Sequence, residues 1–257
     1  IGIEDIAMAA RASEALDMMR RRRYDIVLCD YNMGEGMDGQ QLLDLARAEG
    51  CVGPATVFIM VTAENTSEMV MGAVETMPDA YLSKPFNKEI LRARLDRLSR
   101  RKKPIEPIDA ALRRGDIEGA VTRIDEILAA GPGGAIGKRP EGLQTVVTDL
   151  LRLKADLAFG LCDRERAEAA CAKALETKPH AWALTMLGYI AAQRGDPGQA
   201  EELYRKSIAT TPAYMAAYDG LGTLLEERGE TEAALHTVFG AVERSPKSLP
   251  RQLTLAR

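Results

Sequence analysis

The chain has 257 residues, of which 46% are hydrophobic and 28% charged, and this is enough for two ordinary globular domains. Its 34 Lys and Arg residues against 38 Asp and Glu leave a net charge of -4, so no basic surplus is present to bind nucleic-acid phosphates. No long apolar run argues for a membrane span. No signal peptide is recognisable and the cysteines form no CxxC pair, so we expect a cytoplasmic protein without structural zinc.

Short apolar strands alternate with amphipathic helices over the first part of the chain. The predicted strands are 3–9, 24–29, 56–61 and 79–82, and the predicted helices are 13–22, 39–49, 67–76 and 87–99. Strict alternation of such elements indicates a parallel sheet with helices on both faces. This part is therefore an α/β domain.

A basic run, RRKK at 100–103, is followed by Pro104 and Pro107 and interrupts this pattern. After it, no convincing strand occurs. We therefore place a domain boundary here and divide the chain into domains 1–103 and 104–257.

The second domain repeats itself every 34 residues. The matching pairs are Leu187-Gly188 and Leu221-Gly222, Gly195 and Gly229, Ala200 and Ala234, and Pro212 and Pro246. Such a period in helix-forming sequence indicates an all-α solenoid of helical hairpins and resembles the tetratricopeptide repeat. Weaker copies around 167–179 and 115–132 bring the total to about four repeats, with a Gly- and Pro-rich insertion near 133–142.

Polar residues end three strands of the first domain. Asp30 follows the strand YDIVLC, Thr62 ends the next strand, and Lys84 follows the last one. Because parallel strands place their carboxyl ends at one edge, we expect these side chains to converge there. A carboxylate nucleophile beside a hydroxyl and an ammonium group can accept a phosphoryl group.

These residues, with MDG at 37–39, TAE at 62–64 and KPF at 84–86, resemble the receiver domain of two-component response regulators. The resemblance implies a flavodoxin-like sheet in which Asp30 is phosphorylated by a histidine kinase or a phosphotransfer protein. It implies that Thr62 and Lys84 bind the phosphoryl oxygens, that Tyr81 turns inward in response, and that the Lys84-Pro85 bond is cis. It also implies Mg²⁺, held by Asp30, the backbone carbonyl of Asn32 and an acidic pair that follows the family's first strand.

The sequence departs from the family in two places. The chain begins at what matches the second strand, so the first strand and its acidic pair are missing, and we expect them in a segment before Ile1. Mg²⁺ is expected only if that acidic pair is present. In the loop YNMGEGMDG, Gly34 replaces the usual proline and MDG comes one residue late.

The resemblance to tetratricopeptide repeats implies a concave groove that binds a protein or peptide. In the 34-residue register the groove is lined by Asp149, Arg152, Asp156, Phe159, Trp182, Thr185, Tyr189, Ala192, Ala216, Asp219, Thr223 and Glu226. Trp182 either anchors a partner or packs between repeats. The acidic residues favour a partner with some basic character.

Together these features predict a non-enzymatic response regulator whose output is protein–protein interaction. Phosphorylation would alter either dimerisation through the face that bears Tyr81 or docking of that face on the repeats, and we favour a homodimer. The alternative is a constitutive scaffold with a degenerate receiver that is never phosphorylated. A hydrolase that uses Asp30 as nucleophile is a weaker third reading, because no second acid after a strand could act as its general acid.

Overall fold

The computed structural model describes residues 3, 5–34, 36–63, 78–129 and 143–244, although not the side chains of 143–145 and 242–244. The chain divides into two compact units, Ile1–Asp116 and Ile117–Arg257. The boundary predicted at residue 103 falls inside the first of these units. None of the described helices is both long and apolar enough to cross a membrane.

The first unit contains a parallel sheet in which β1 (Ile26–Asp30), β2 (Val57–Thr62) and β3 (Ala80–Ser83) lie in the order β1-β2-β3. Each strand lies within two residues of its predicted position. The central strand, β2, is buried along its whole length, because it pairs with a strand on each side and helices cover both of its faces. The sheet therefore brings the carboxyl ends of the strands to one edge.

Helices cover both faces of this sheet, as the alternating pattern predicts. Apolar residues of α1 (Ala12–Arg21) and α2 (Gly39–Ala48) pack with Phe58 and Met60 on one face. Those of α3 (Lys88–Lys102) pack with Ile59 and its neighbours on the other. The helix predicted at 67–76 lies outside the described residues.

The strand predicted at 3–9 was wrong: residues 3 and 5–9, the described part of this segment, form no strand. Its apolar residues are exposed, with Ile6 at 71% and Met8 at 87%. A strand is stable only when a neighbour satisfies its backbone hydrogen bonds, and none lies beside this segment in the described residues. Asp5 instead forms a bidentate ion pair with Arg22, at 2.8 and 3.1 Å.

A 3₁₀ turn, Lys103–Ile105, and α4 (Glu106–Arg113) complete the described part of the first unit. Helices joined by short turns make up the described residues of the second unit. They are α5 (Ile117–Ala129), α6 (Leu143–Gly160), α7 (Arg164–Leu175), α8 (Ala181–Gln193), α9 (Pro197–Thr210), α10 (Met215–Glu227) and α11 (Thr231–Arg244). The pairs α6 and α7, α8 and α9, and α10 and α11 are packed hairpins, as the 34-residue period predicts. The insertion predicted near 133–142 and Pro246 lie outside the described residues.

Tyr204 is the central side chain of the second unit. Its ring is 1% exposed and lies against the backbone of Gly188 in α8 and Gly220 in α10. A Cβ atom added at either glycine would come within 2.6 or 2.7 Å of the ring. The two glycines therefore let consecutive hairpins close around one buried aromatic residue.

Candidate functional site

Asp30 and Lys84 are in direct contact at the carboxyl edge of the sheet. The Lys84 ammonium forms an ion pair with Oδ2 of Asp30, while Oδ1 accepts a 3.2 Å hydrogen bond from the backbone N–H of Asn32. The Asp30 side chain is 37% exposed and the Lys84 side chain 45%, so the carboxylate remains accessible from solvent. The structure thus joins the predicted nucleophile to the predicted cation.

Thr62 ends the neighbouring strand, between β1 and the segment that carries Lys84. Its backbone carbonyl accepts a 2.6 Å hydrogen bond from the N–H of Lys84, and the residue is 4% exposed. The Lys84-Pro85 peptide bond is cis, as the family resemblance implies. The acid, the hydroxyl and the cation therefore lie on three successive strand ends.

The loop after Asp30 leads into the amino end of α2. Asp38 caps this helix by accepting from the N–H of Gln41 at 2.9 Å, and the Gln41 side chain accepts from the N–H of Asp38 at 3.0 Å. A Cβ atom on Gly39 would lie 2.4 Å from the carbonyl oxygen of Asp30. The glycine of MDG is therefore required for the helix to approach the strand that ends in Asp30.

Gly34 explains why this loop departs from the family pattern. Its φ angle is +83°, in a region that proline, with φ fixed near about −65°, cannot adopt. Gly36 has a φ of +103°. The loop thus follows a path that two left-handed glycines permit and that a proline at position 34 would prevent.

Tyr81, the predicted switch residue, is half-buried and packs with the cluster formed by α1 and α2. Its hydroxyl is buried and has no hydrogen-bond partner among the described residues. Burial raises the pKa of this hydroxyl to about 12, with a smaller effect from Tyr31. Tyr81 is thus already turned inward, whereas the resemblance implies inward rotation after phosphorylation.

Cys29, next to Asp30, is a core thiol. It is 4% exposed, and burial raises its pKa to about 12, so it carries no thiolate near neutral pH. Of these two neighbouring side chains, only the Asp30 carboxylate is accessible from solvent.

The described residues supply only part of a Mg²⁺ site. Asp30 offers one carboxylate, already paired with Lys84, and Asn32 contacts that carboxylate through its backbone N–H. Among the described residues there is no group of three His, Cys, Asp or Glu side chains that could hold a metal ion. Mg²⁺ coordination usually draws on further carboxylates or substrate phosphates, so this donor set alone does not fit the ion.

The residues predicted to line the groove of the second unit differ in exposure. Asp149, Asp156, Asp219, Thr223 and Glu226 are exposed, whereas Arg152, Phe159, Trp182, Tyr189, Ala192 and Ala216 are half-buried. The Asp156 carboxyl reaches solvent but is crowded by protein atoms, and this desolvation raises its pKa, with Arg152 partly opposing the shift. The partner-binding role of the accessible residues stays a prediction.

Thr185 was wrongly assigned to the groove. It is 2% exposed, and its hydroxyl lies 2.8 Å from that of Ser207, which donates a 2.9 Å hydrogen bond to the carbonyl of Ala181. These contacts join α8 to α9 inside one hairpin. The 34-residue register fixes a position along the helix, but one residue to either side of the groove face is enough to turn a side chain inward.

The two aromatic residues proposed as anchors contribute to packing. Trp182 packs against a core cluster of α6, α7 and α8, with its ring centroid 6.0 Å from that of His180. Tyr189 packs edge-on against Tyr204, with ring centroids 5.5 Å apart, and its hydroxyl donates to the carbonyl of Ala216 at 3.0 Å. Both are partly accessible, but much of each ring already lies between helices.

Sequence reasoning missed Asp109. This residue was not singled out, yet its side chain is 5% exposed and ion-paired to Arg113 and Arg23 within the first unit. An acid two positions after Pro107 looks like an ordinary first-turn helix residue. The apolar residues close to it in the sequence, Ile108 and Ala111, were the one sequence feature that indicated burial.

Comparison with known proteins agrees with the receiver-like first unit and with the helical repeats of the second. The family model of the response regulator receiver domain matches residues 2–96, and that of the tetratricopeptide repeat matches residues 152–214 and 185–248. The chemotaxis protein CheY of Pseudomonas aeruginosa is 30% identical over 101 residues, which are 39% of this chain and 80% of that protein.

A further relative and one solved structure match this chain only in part. The transcriptional regulatory protein ZraR of Escherichia coli O157:H7 is 34% identical over 93 residues, so the match covers 36% of this chain and a fifth (20%) of ZraR. A crystal structure of MamA has 18% identity and a TM-score of 0.44, covering 58% of this chain and 80% of that chain. With the site geometry and the CheY match together, the chain belongs to the response regulator receiver family, and its second part is built from tetratricopeptide repeats.

Proposed function

We propose that the protein is a phosphorylation-responsive signalling protein in which Asp30 accepts a phosphoryl group and the repeat region binds another protein. The ion pair between Lys84 and Asp30 is the observation that carries this proposal. It places a cation against an accessible carboxylate at the edge where parallel α/β folds bind their ligands. We also propose a cytoplasmic location, because the cytoplasm is reducing and the cysteines of this chain are free thiols.

The chemistry is a phosphoryl transfer from a phosphohistidine of a kinase or phosphotransfer protein. A carboxylate oxygen of Asp30 attacks phosphorus, the P–N bond breaks, its electron pair stays on the imidazole nitrogen, and an acyl phosphate forms on Asp30. Lys84 leaves the carboxylate and neutralises charge on the transferred oxygens, and the Thr62 hydroxyl donates a hydrogen bond to one of them.

Mg²⁺ is part of this proposal only if the acidic pair is present. When bound, it would neutralise phosphoryl charge at Asp30. The described donors, Asp30 and the carbonyl of Asn32, need an acidic pair from elsewhere to complete such a site. The steps assigned to Lys84 and Thr62 do not depend on it.

The output is protein–protein interaction without chemistry of its own. Exposed acids, among them Asp156, Asp219 and Glu226, favour a partner segment with basic side chains. The face that bears Tyr81 is the proposed site at which phosphorylation changes self-association to a homodimer. A ligand shifts an equilibrium only through different affinities for the two states, so dimer and monomer must differ in how well they accept the acyl phosphate.

One observation favours the alternative, a constitutive scaffold with an unphosphorylated receiver. The Tyr81 hydroxyl is already buried without phosphate on Asp30, so the inward position of this residue does not require the modification. Sedimentation of the chain with and without acetyl phosphate separates the two. A phosphate-dependent change in the molecular mass measured by sedimentation, abolished by Asp30→Asn, supports the response regulator. An unchanged sedimentation profile supports the scaffold.

Phosphorylation itself is tested by treating the chain with acetyl phosphate and measuring its intact mass. We expect one added phosphoryl group that is lost on treatment with hydroxylamine, which cleaves acyl phosphates. Asp30→Asn should abolish the addition, and Asp38→Asn, which changes a nearby helix cap, should keep it. Persistence in Asp30→Asn contradicts the proposal.

A further inference from the structure

The helix α4 (Glu106–Arg113) ends in the same turn as the repeat helices, although it lies in the first unit. Gly115 has a φ of +72°, its N–H donates to Leu112, and the N–H of Asp116 donates to Ala111, both at 3.0 Å. The turns at Gly195 and Gly229 have the same left-handed residue and the same two hydrogen bonds. The backbone after α4 therefore forms the same turn that joins the two helices of a repeat hairpin.

The buried side chain of Asp109 nevertheless packs α4 against the receiver. Oδ2 accepts a 2.6 Å hydrogen bond from Arg113 of the same helix, while Oδ1, which has no hydrogen-bond partner among the described residues, faces the Arg23 guanidinium at 3.9 Å. Gly53 lies so close that a Cβ atom added to it would be 2.1 Å from Oδ1. Arg23 lies just before β1 and Gly53 just before β2. The helix α4 is therefore anchored at the amino ends of the strands, opposite the carboxyl ends where Asp30 lies.

A second buried ion pair fixes the chain just before α4. Nζ of Lys102, the last residue of α3, lies 2.7 Å from Oδ1 of Asp79 and donates to the carbonyl of Pro54 at 2.8 Å. The side chains of Lys102 and Asp79 are 13% and 8% exposed. Asp79 directly precedes β3 and also accepts from the N–H of Phe58 at 2.8 Å.

The ion pair of Asp79 and Lys102 links the site at Asp30 to the segment before α4, because β3 and α3 both extend from Lys84 to this pair. Lys84 stands between β3 and α3, and the far ends of both elements meet at the ion pair of Asp79 and Lys102. A displacement of Lys84 toward a phosphoryl group would therefore act on β3 and α3 and reach the segment that leads into α4. Packed elements transmit such shifts because they rearrange between discrete positions rather than deform.

We infer that α4 is a coupling helix, seated on the receiver by Asp109 and passing into the second unit by a repeat-type turn. The seat is a receiver surface formed by Arg23 and Gly53, and its occupant is the Asp109 face of this chain's own α4. Removal of a partner from a buried charged group is costly, so the seated and released positions are distinct states. The seating stands on the contacts alone, and the coupling to Asp30 rests on the proposed function.

Amide hydrogen exchange in the full chain tests the seating. Gly53→Ala drives a methyl group into the Asp109 carboxylate from the receiver side, and Asp109→Ala removes the carboxylate. We expect each to accelerate exchange in α4 by about tenfold or more, with β2 unchanged. In the double variant the carboxylate is already absent, so the effects should be clearly less than multiplicative.

Matched controls make the result specific. Gly198→Ala adds a methyl group whose nearest neighbour is 3.7 Å away, and Asp96→Asn neutralises an acid that is 55% exposed in α3. Neither should change exchange in α4. Unchanged α4 exchange in Gly53→Ala and Asp109→Ala would overturn the seating, and so would equal acceleration of α4 and β2, which indicates loosening of the whole receiver.

The coupling is tested in the same samples after treatment with acetyl phosphate. We expect α4 exchange to change in the wild-type chain and to stay constant in Asp30→Asn. Unchanged α4 exchange in a chain whose intact mass shows phosphorylation rejects the coupling and leaves the proposed function standing. An unchanged intact mass rejects the proposed function and the coupling together, while the seating is decided by the variants alone.

Discussion

Lys84 pairs with Oδ2 of Asp30 across the carboxyl edge of the sheet, so the residue proposed to receive phosphate already holds the cation proposed to bind it. Replacing Lys84 with Met keeps a long side chain and removes the charge. We predict that Lys84→Met slows phosphorylation by acetyl phosphate about a hundredfold, because a fixed cation no longer stabilises the transferred oxygens. The initial rate of acyl phosphate formation is the measurement.

Lys88→Met is the matched control for this change. Lys88 is exposed in the first turn of α3, four residues beyond the site, and its substitution should leave the rate within about twofold of wild type. Similar slowing in both variants would mean that general loss of positive charge, rather than the pair with Asp30, accounts for the effect.

Gly39→Ala should destabilise the receiver by about 2 kcal/mol, because the new Cβ atom would lie 2.4 Å from the backbone carbonyl of Asp30, which cannot rotate away. Urea unfolding followed by near-ultraviolet circular dichroism measures the loss. Gly198→Ala is a suitable control, since Gly198 also lies in the first turn of a helix but an added Cβ atom would have only an ordinary 3.7 Å contact. Equal effects at the two positions would refute the close approach.

Gly220→Ala should destabilise the repeat region by about 2 kcal/mol, because its Cβ atom would meet the buried ring of Tyr204 at 2.7 Å. Gly222, two residues further along α10, has its nearest neighbour, a Val238 methyl group, at 3.3 Å. Gly222→Ala should change stability by less than about 1 kcal/mol, as helix propensity offsets the closer contact. Thermal unfolding of both variants would test the difference, and a milder loss in Gly220→Ala would contradict it.

Asp156 should make stability depend on pH with a defined sign. Its pKa is raised in the folded chain above the ordinary 3.8, so folding favours the protonated form, and its contribution to stability is lost as pH rises through the folded pKa. We predict that Asp156→Asn is more stable than wild type at neutral pH, and that the gain vanishes below about pH 4. A gain that persists at low pH, or no gain at neutral pH, would contradict this cause.

The candidate site at the carboxyl edge of the sheet could be predicted because its geometry follows from topology. Parallel strands put Asp30, Thr62 and the segment with Lys84 at one edge, whatever the details of packing. The pattern does not determine the direction of a side chain whose environment depends on distant residues. The inward position of Tyr81 depends on the cluster formed by α1 and α2, which no local motif encodes.

The errors have the same origin. Residues 3–9 have the alternation of a strand, but strand formation requires a hydrogen-bonded neighbour that propensity cannot supply. Thr185 was placed by period alone, whereas its partner, Ser207, lies in another helix. Asp109 matters because Gly53, far away in sequence, lacks a side chain and leaves room for its carboxylate.

Borohydride trapping of the chain after incubation with acetyl phosphate tests the central claim most directly. Reduction of an aspartyl phosphate converts that residue to homoserine, and peptide mass spectrometry locates it. The account predicts homoserine at position 30 in wild type and much less in Lys84→Met. Homoserine at another acid, or none at position 30, would contradict the assignment of Asp30 as the phosphoacceptor.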